Sequence, residues 1–218
     1  MSKVHPTKPF LMMLYGYPGA GKTYFARQFC ENVQASHLQA DRIRLELFQT
    51  PQYDKQENAI VSQLMDYMAE EFLNAGLSVV YDSSTIRTTQ RQALRQLAVK
   101  NHAQPILVWF QMDSETAYGR NIKRDRRRVD DKYTKELDRK DFDTVLGHMQ
   151  NPTHNEDYIV ASGKHLFNMQ LSAAVSKLRS IGVINIEEIQ SRVIKPGMVN
   201  LVPSLGRIDD SRRNISIR

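Results

Sequence analysis

The sequence predicts an α/β fold, a five-stranded and mainly parallel sheet flanked by helices, with a C-terminal extension. Three observations predict it. Five short apolar runs alternate with stretches of helical periodicity, the pattern that builds βαβ units. A glycine-rich stretch joins the first run to the first helix. The residues are 41% hydrophobic and 25% charged, the balance of a domain that buries a core.

The first strand is expected over residues 10–15, where Phe10, Leu11, Met12, Met13, Leu14 and Tyr15 form the unbroken apolar run of a strand covered on both faces. Gly16, Tyr17, Pro18, Gly19, Ala20, Gly21, Lys22 and Thr23 follow, and a helix starts near Tyr24 and Phe25. A weaker strand covers 37–40 and ends just before Asp41. Between 58 and 74, Ile60, Leu64, Met68 and Phe72 recur every four residues with Val61, Met65 and Leu73 beside them, an amphipathic helix that Gly76 ends. The third strand covers 77–81 and runs into Asp82. A helix over 89–100 carries Ala93, Leu94, Leu97 and Ala98 on one face, and the fourth strand covers 106–110. A helix over 114–124 takes Ser114 as N-cap. The fifth strand covers 158–161 and a closing helix 165–181. After Gly182 the pattern changes. Ile184, Asn185 and Ile186 suit one more strand, and Pro and Gly then mix with scattered charge. The chain therefore divides into a lead (1–9), a main domain (10–186) and an extension (187–218) that is partly ordered at best and whose apolar residues pack on the core or on a partner.

At 218 residues this is one large domain with an extension. The net charge of +6 leans toward an anionic partner such as nucleotide, phosphate or nucleic acid. One cysteine, Cys30, excludes an internal disulfide and reads as core. The N-terminal residues lack the apolar stretch of a signal peptide, and no run approaches the ~20 residues of a membrane span. The expected setting is cytoplasmic. No Cys/His cluster has zinc spacing, and the six histidines receive no role.

Residues 16–23 read G-x-x-x-x-G-K-T between a strand and a helix, a P-loop. Glycines let the backbone wrap phosphates with its N–H groups inward, Lys22 reaches the β/γ-phosphates, and the Thr23 hydroxyl ligates Mg²⁺. The fold is then of the P-loop NTPase kind, with ATP and Mg²⁺ as expected ligands and Tyr24 at the edge of the nucleotide site. Asp41 closes the second strand, where side chains face the ligand crevice. A carboxylate there accepts a proton from an attacking hydroxyl. Arg44, three residues on, shares its face and suits a bidentate grip on an anionic acceptor group. The plain alternative is an N-cap aspartate with solvated arginines. Val79, Val80, Tyr81 and Asp82 make a loose Walker B, with Asp82 near Mg²⁺ or the acceptor and Ser83, Ser84 and Thr85 lining the acceptor pocket. The run from Arg120 to Arg128 is either a solvated face or a lid. Arg120 and Arg124 lie four apart, on one helix face, while Arg126, Arg127 and Arg128 serve general electrostatics or a nucleic-acid backbone.

Together the P-loop, Asp41-x-x-Arg44, Val79-Val80-x-Asp82 and Arg120-x-x-x-Arg124 resemble the P-loop kinases of the AAA_33/zeta-toxin type over about residues 10–181, with the 5′-polynucleotide kinase branch the closest pattern. The resemblance implies that Lys22 and Thr23 hold ATP and Mg²⁺ and that Asp41 is the catalytic base. It implies that Arg44 contacts acceptor phosphate beside Asp82, that Arg91 matches an acceptor-side arginine in the next helix, and that Arg120 and Arg124 are lid arginines. The expected activity is transfer of the γ-phosphate of Mg-ATP to an acceptor hydroxyl. The acceptor is the 5′-OH of RNA or DNA or, alternatively, a small hydroxylated metabolite, antibiotic or nucleotide sugar. An ATPase switch or a nucleotide-binding interaction module is the reading outside that class.

Overall fold

The structure, a computed structural model, describes residues 3–83, 85–125, 127 and 131–185. The extension expected at 187–218, with Ile186, Ser84, Arg126 and Arg128, lies outside the described residues.

Five strands, β1 (Phe10–Gly16), β2 (Ser36–Gln39), β3 (Val79–Asp82), β4 (Gln104–Gln111) and β5 (Tyr158–Ser162), form one sheet in the order β2-β3-β1-β4-β5. Every pair is parallel. The helices are α1 (Lys22–Asn32), α2 (Ala40–Leu47), α3 (Lys55–Asn74), α4 (Thr88–Lys100), α5 (Ser114–Ile122), α6 (Arg139–Gly147) and α7 (Phe167–Ser180). The expected five-stranded sheet with flanking helices is present. β1 lies at its centre and is buried along its whole length. Alternate residues feed two cores. Phe10, Met12 and Leu14 pack with Phe25, Phe29, Ala174 and Leu178 on the α1/α7 face. Leu11, Met13 and Tyr15 pack with Val61, Met65, Leu94 and Ala98 on the α3/α4 face.

Several element ends differ from expectation for local reasons. α3 starts three residues early because Asp54 caps it, its side chain accepting from the Glu57 N–H at 2.8 Å. β3 starts at Val79, not at residue 77, since the Ser78 hydroxyl takes the Phe10 N–H. Asp113, not Ser114, caps α5, accepting from the Thr116 N–H at 2.8 Å. α5 stops at Ile122, two residues short of Arg124. α6 was not expected, although Phe142, Val145 and Leu146 carry the helical spacing and Asp138 caps it. The strand expected at 184–186 is absent from its described part. Val183 and Ile184 instead pack into the α1/α7 core, where the Val183 carbonyl accepts from the Thr7 N–H.

Candidate active site

All five parallel strands end at the same edge of the sheet, and the chemistry-bearing residues gather there. At its centre, β1 turns through residues 16–21 into α1. Gly21 stands before the helix at φ 91°, a left-handed position that a side chain disfavours. A Cβ on Gly19 would run into the Ala117 carbonyl of α5, so glycine lets the loop nest against that helix. α1 has no side-chain cap and no acidic residue in its first turn. Its first N–H groups and its positive dipole end stay free for an anion. The Lys22 ammonium folds back on the loop, donating to the carbonyls of Gly16 at 2.7 Å and Tyr17 at 2.9 Å. Burial lowers its pKa to about 8, opposed by Asp82 and Asp41 and assisted by Arg124.

On the β2/β3 side, Gln39 lies in register with Asp82, so the chain leaving β2 places Asp41, in the first turn of α2, beside the end of β3. Asp41 has its pKa raised to about 6, first by burial and then by the Asp82 carboxylate. Arg124, Arg44 and Lys22 pull it down. Asp82 is buried, and one of its oxygens pairs with His37 Nε2 at 3.0 Å. Its electrostatic reach to both Lys22 and Asp41 puts it between the phosphate loop and the second strand. The Thr23 hydroxyl, the free oxygen of Asp82 and phosphate oxygens make a hard-oxygen donor set that fits Mg²⁺, which is ordinarily bound through one or two carboxylates plus substrate phosphates. Among the described residues no cluster of three His, Cys, Asp or Glu forms a closed cage.

The two arginines of the expected lid separate. With α5 ended at Ile122 they do not share a helix face. Arg120 donates to the Gly163 carbonyl at 2.7 Å, beside the β5–α7 loop, where Lys164 pairs with Asp113 at 2.7 Å. Arg124 turns toward the reaction centre, where it bears on Asp41 and Lys22 and donates to the Lys135 carbonyl at 3.1 Å. Burial lowers its pKa, opposed by Asp131 and Asp41. Arg127 is exposed and paired with Asp125.

Three expectations on the acceptor side are corrected. Arg91 is fully buried and does not face an acceptor. It grips Glu156 through two bonds at 2.6 and 2.9 Å, donates to the Thr85 carbonyl and lies 5.0 Å from the Tyr15 ring centroid. A buried guanidinium needs such a partner, which makes this pair part of the core. Arg44 has no free fork. Its two terminal nitrogens bond Glu57 at 3.0 Å and Asn58 at 2.6 Å, and only its buried Nε has no partner among the described residues. Thr85 does not line a pocket, since its buried hydroxyl donates to the Leu14 carbonyl at 2.7 Å. Tyr24 sits on α1, 44% exposed, with its ring edge toward Phe167. The sequence carries no signal for His37, whose place beside Asp82 follows only from the β2–β3 pairing, for Tyr53, whose ring meets Arg44 and Lys135, or for Tyr133, whose ring meets Arg42.

A glycine-built phosphate loop at the centre of a 2-3-1-4-5 parallel sheet, with carboxylates at the ends of its neighbours, defines a kinase-like P-loop fold. The chain belongs to the AAA_33 family (AAA domain), whose model matches residues 11–152. Solved structures agree on the fold. A sugar kinase from Janibacter superposes with a TM-score of 0.59 at 15% identity, over 78% of this chain and 95% of that one. Kti12 from Chaetomium thermophilum, in complex with ADP-AlF3, gives 0.61 at 14% identity over 80% and 100%. The Mycobacterium tuberculosis APS kinase CysC, with AMPPNP and APS, gives 0.60 at 15% over 80% and 99%. No curated relative matches the chain. Among the described residues no helix is long and apolar enough to cross a membrane.

Proposed function

We propose that the chain is an ATP-dependent phosphotransferase that moves the γ-phosphate of ATP to an acceptor hydroxyl. The observation that carries this reading is the placement of Asp41, a carboxylate of raised pKa, within electrostatic reach of Lys22, Asp82 and Arg124 at the edge of the phosphate loop. An ATPase needs only a group that positions water. A buried carboxylate beside the phosphate cradle suits removal of a proton from an alcohol.

Residues 16–23 bind the nucleotide phosphates through backbone N–H groups, with Tyr24 at the edge of the site. On nucleotide binding, Lys22 exchanges its two loop carbonyls for phosphate oxygens. Thr23 and Asp82 would hold Mg²⁺, which would supply positive charge to offset that of the phosphates. Asp41 orients the acceptor hydroxyl and takes its proton as the oxygen attacks. Arg124 stabilises charge on the transferring group, and Arg120 fixes the β5–α7 loop on the nucleotide side. On the acceptor side Arg44 is left with a single donor, its Nε, and Asp82 frames the pocket.

The acceptor in this reading is the 5′-hydroxyl of RNA or DNA, supported by the basic balance of the chain and by the cations around α2. A small hydroxylated metabolite is the second reading, favoured by the sugar kinase among the similar structures. The test is transfer of label from γ-labelled ATP to 5′-OH oligonucleotides and, in parallel, to a panel of sugars and nucleosides. Label on oligonucleotide ends supports the first reading. Label on small acceptors alone replaces it with the second, and hydrolysis indifferent to every acceptor refutes the phosphotransferase.

A further inference from the structure

Two stretches far apart in the chain meet beside Asp41: α2 with the α2–α3 connection that follows it, and residues 132–135 ahead of α6. They meet through aromatic rings and cations. The guanidinium of Arg42 lies 5.9 Å from the ring centroid of Tyr133, and the Lys132 ammonium lies 5.1 Å from the same ring. Arg44 and Lys135 approach the Tyr53 ring at 4.7 and 4.9 Å. Arg124, whose charge acts on Asp41, donates to the carbonyl of Lys135 and so ties this rim to the reaction centre.

The rim carries backbone strain. Tyr53 has φ 57°, a left-handed conformation that a bulky aromatic residue rarely adopts. Glu57 holds it there, its carboxylate accepting from the N–H groups of Gln52 at 2.7 Å and Tyr53 at 2.8 Å while pairing with Arg44. Such strain persists where surrounding contacts over-determine it, and it clusters at ligand clamps. Arg42 and Lys132 are exposed and have no ion pair among the described residues. Lys135 has one long exposed pair, to Asp141 at 3.4 Å.

We infer that this rim is a landing surface for single-stranded nucleic acid, with Tyr133 taking a base and Arg42, Lys132 and Lys135 taking backbone phosphates. The inference rests on the nucleic acid reading of the acceptor. A cation held on a ring face with no carboxylate partner exchanges readily onto a phosphate, and the ring it leaves is a flat platform on which any base stacks. A neutral polyol would use neither feature. A lone phosphate would use the cations and leave the rings idle. A chain of bases and phosphates engages both, with several cations at once, and the position of Arg42, next to Asp41, directs its end to the base.

The test is fluorescence anisotropy of a labelled single-stranded 5′-OH oligonucleotide with the full chain, across a salt series. Binding is expected to weaken steeply with salt, and Arg42→Ala to lower the slope of log K against log[salt] by about one. Tyr133→Ala should weaken binding about ten- to a hundredfold, with Tyr133→Phe near wild type. ATP affinity and thermal unfolding should stay unchanged in all three variants. A flat salt dependence, or equal affinity of Tyr133→Ala and wild type, overturns the inference. Label transfer to the same oligonucleotide separates it from the activity. Ring-dependent binding without transfer supports the surface and removes the 5′-hydroxyl as acceptor. Transfer unchanged in Tyr133→Ala removes the surface and keeps the acceptor.

Discussion

The phosphate-loop side and the proposed acceptor side of this site are built from different materials. The first is nearly all backbone: one contiguous stretch, residues 16–23, whose glycines and uncapped helix start offer N–H groups to an anion. The second is all side chains, brought from β2, α2, β3, the α2–α3 connection and the segment before α6. A backbone cradle recognises what every nucleoside triphosphate shares. In the proposed reading, the side-chain rim is where one acceptor is told from another.

Substitutions can break that division of labour or sharpen it. The largest effect is expected from Asp41→Asn, which should lower turnover by about 10²–10⁴ while leaving ATP affinity intact in a nucleotide-binding titration. Loss of ATP affinity would move Asp41 to the other side of the comparison. The same variant should gain stability at pH 7. A carboxyl raised to about 6 binds its proton more tightly folded than unfolded, so its ionised form opposes folding as pH rises through the interval from the ordinary aspartate value of 3.8 to about 6. Removing the charge should stabilise the nucleotide-free protein by on the order of 1–2 kcal/mol, read as a higher midpoint of thermal unfolding. Lys22→Ala should cost about 10²–10³ in turnover and, unlike Asp41→Asn, weaken ATP binding as well.

Glu156→Gln tests the correction to Arg91. Leaving that guanidinium buried without its charge partner should cost about 3–5 kcal/mol of stability, measured by denaturant unfolding. In the fraction that stays folded, the acceptor KM should not move. A selective rise in acceptor KM would return Arg91 to the acceptor. Arg124→Ala should lower kcat more than it raises acceptor KM, and the opposite split would make it a docking residue. The mildest expectation concerns pH. kcat/KM should rise to a plateau above about pH 6 as Asp41 ionises and fall again above about pH 8 as Lys22 loses its proton. Asp41→Asn should abolish the acid limb alone.

The same division explains what the sequence made legible. The phosphate loop is local, so its glycines, Lys22 and Thr23 could be read in a row, and strands such as β1 and β4 announced themselves as apolar runs. The positions of Asp41 and Asp82 were legible because Asp82 closes an apolar run and Asp41 follows the end of one. The partners of the arginines were not. Arg44 and Arg91 lie in plausible positions along the chain, yet Glu57 and Glu156 take them, and nothing near either arginine in sequence reveals those carboxylates. The shared face expected for Arg120 and Arg124 failed for a related reason: spacing implies a face only while the helix lasts, and α5 ends at Ile122. His37 and Tyr53 depended on strand order and on a strained backbone, which periodicity does not encode.

The central place of β1 has a consequence for how the protein is made. β1 precedes the other four strands of the sheet in the chain, but its hydrogen-bonded neighbours are β3 and β4, so Leu11 waits for Val79 and Met12 for Ile106. Until residues 79–82 emerge, Phe10, Leu11, Met12, Met13, Leu14 and Tyr15 form a fully apolar segment with both edges open, and one edge stays open until residues 104–111 follow, the kind of segment chaperones cover. Parallel pairing over such separations is slow to form. The part of the chain that carries the phosphate loop is therefore synthesised first and completed late, and expression yield should respond more to changes in β1 than to changes of equal size in β5.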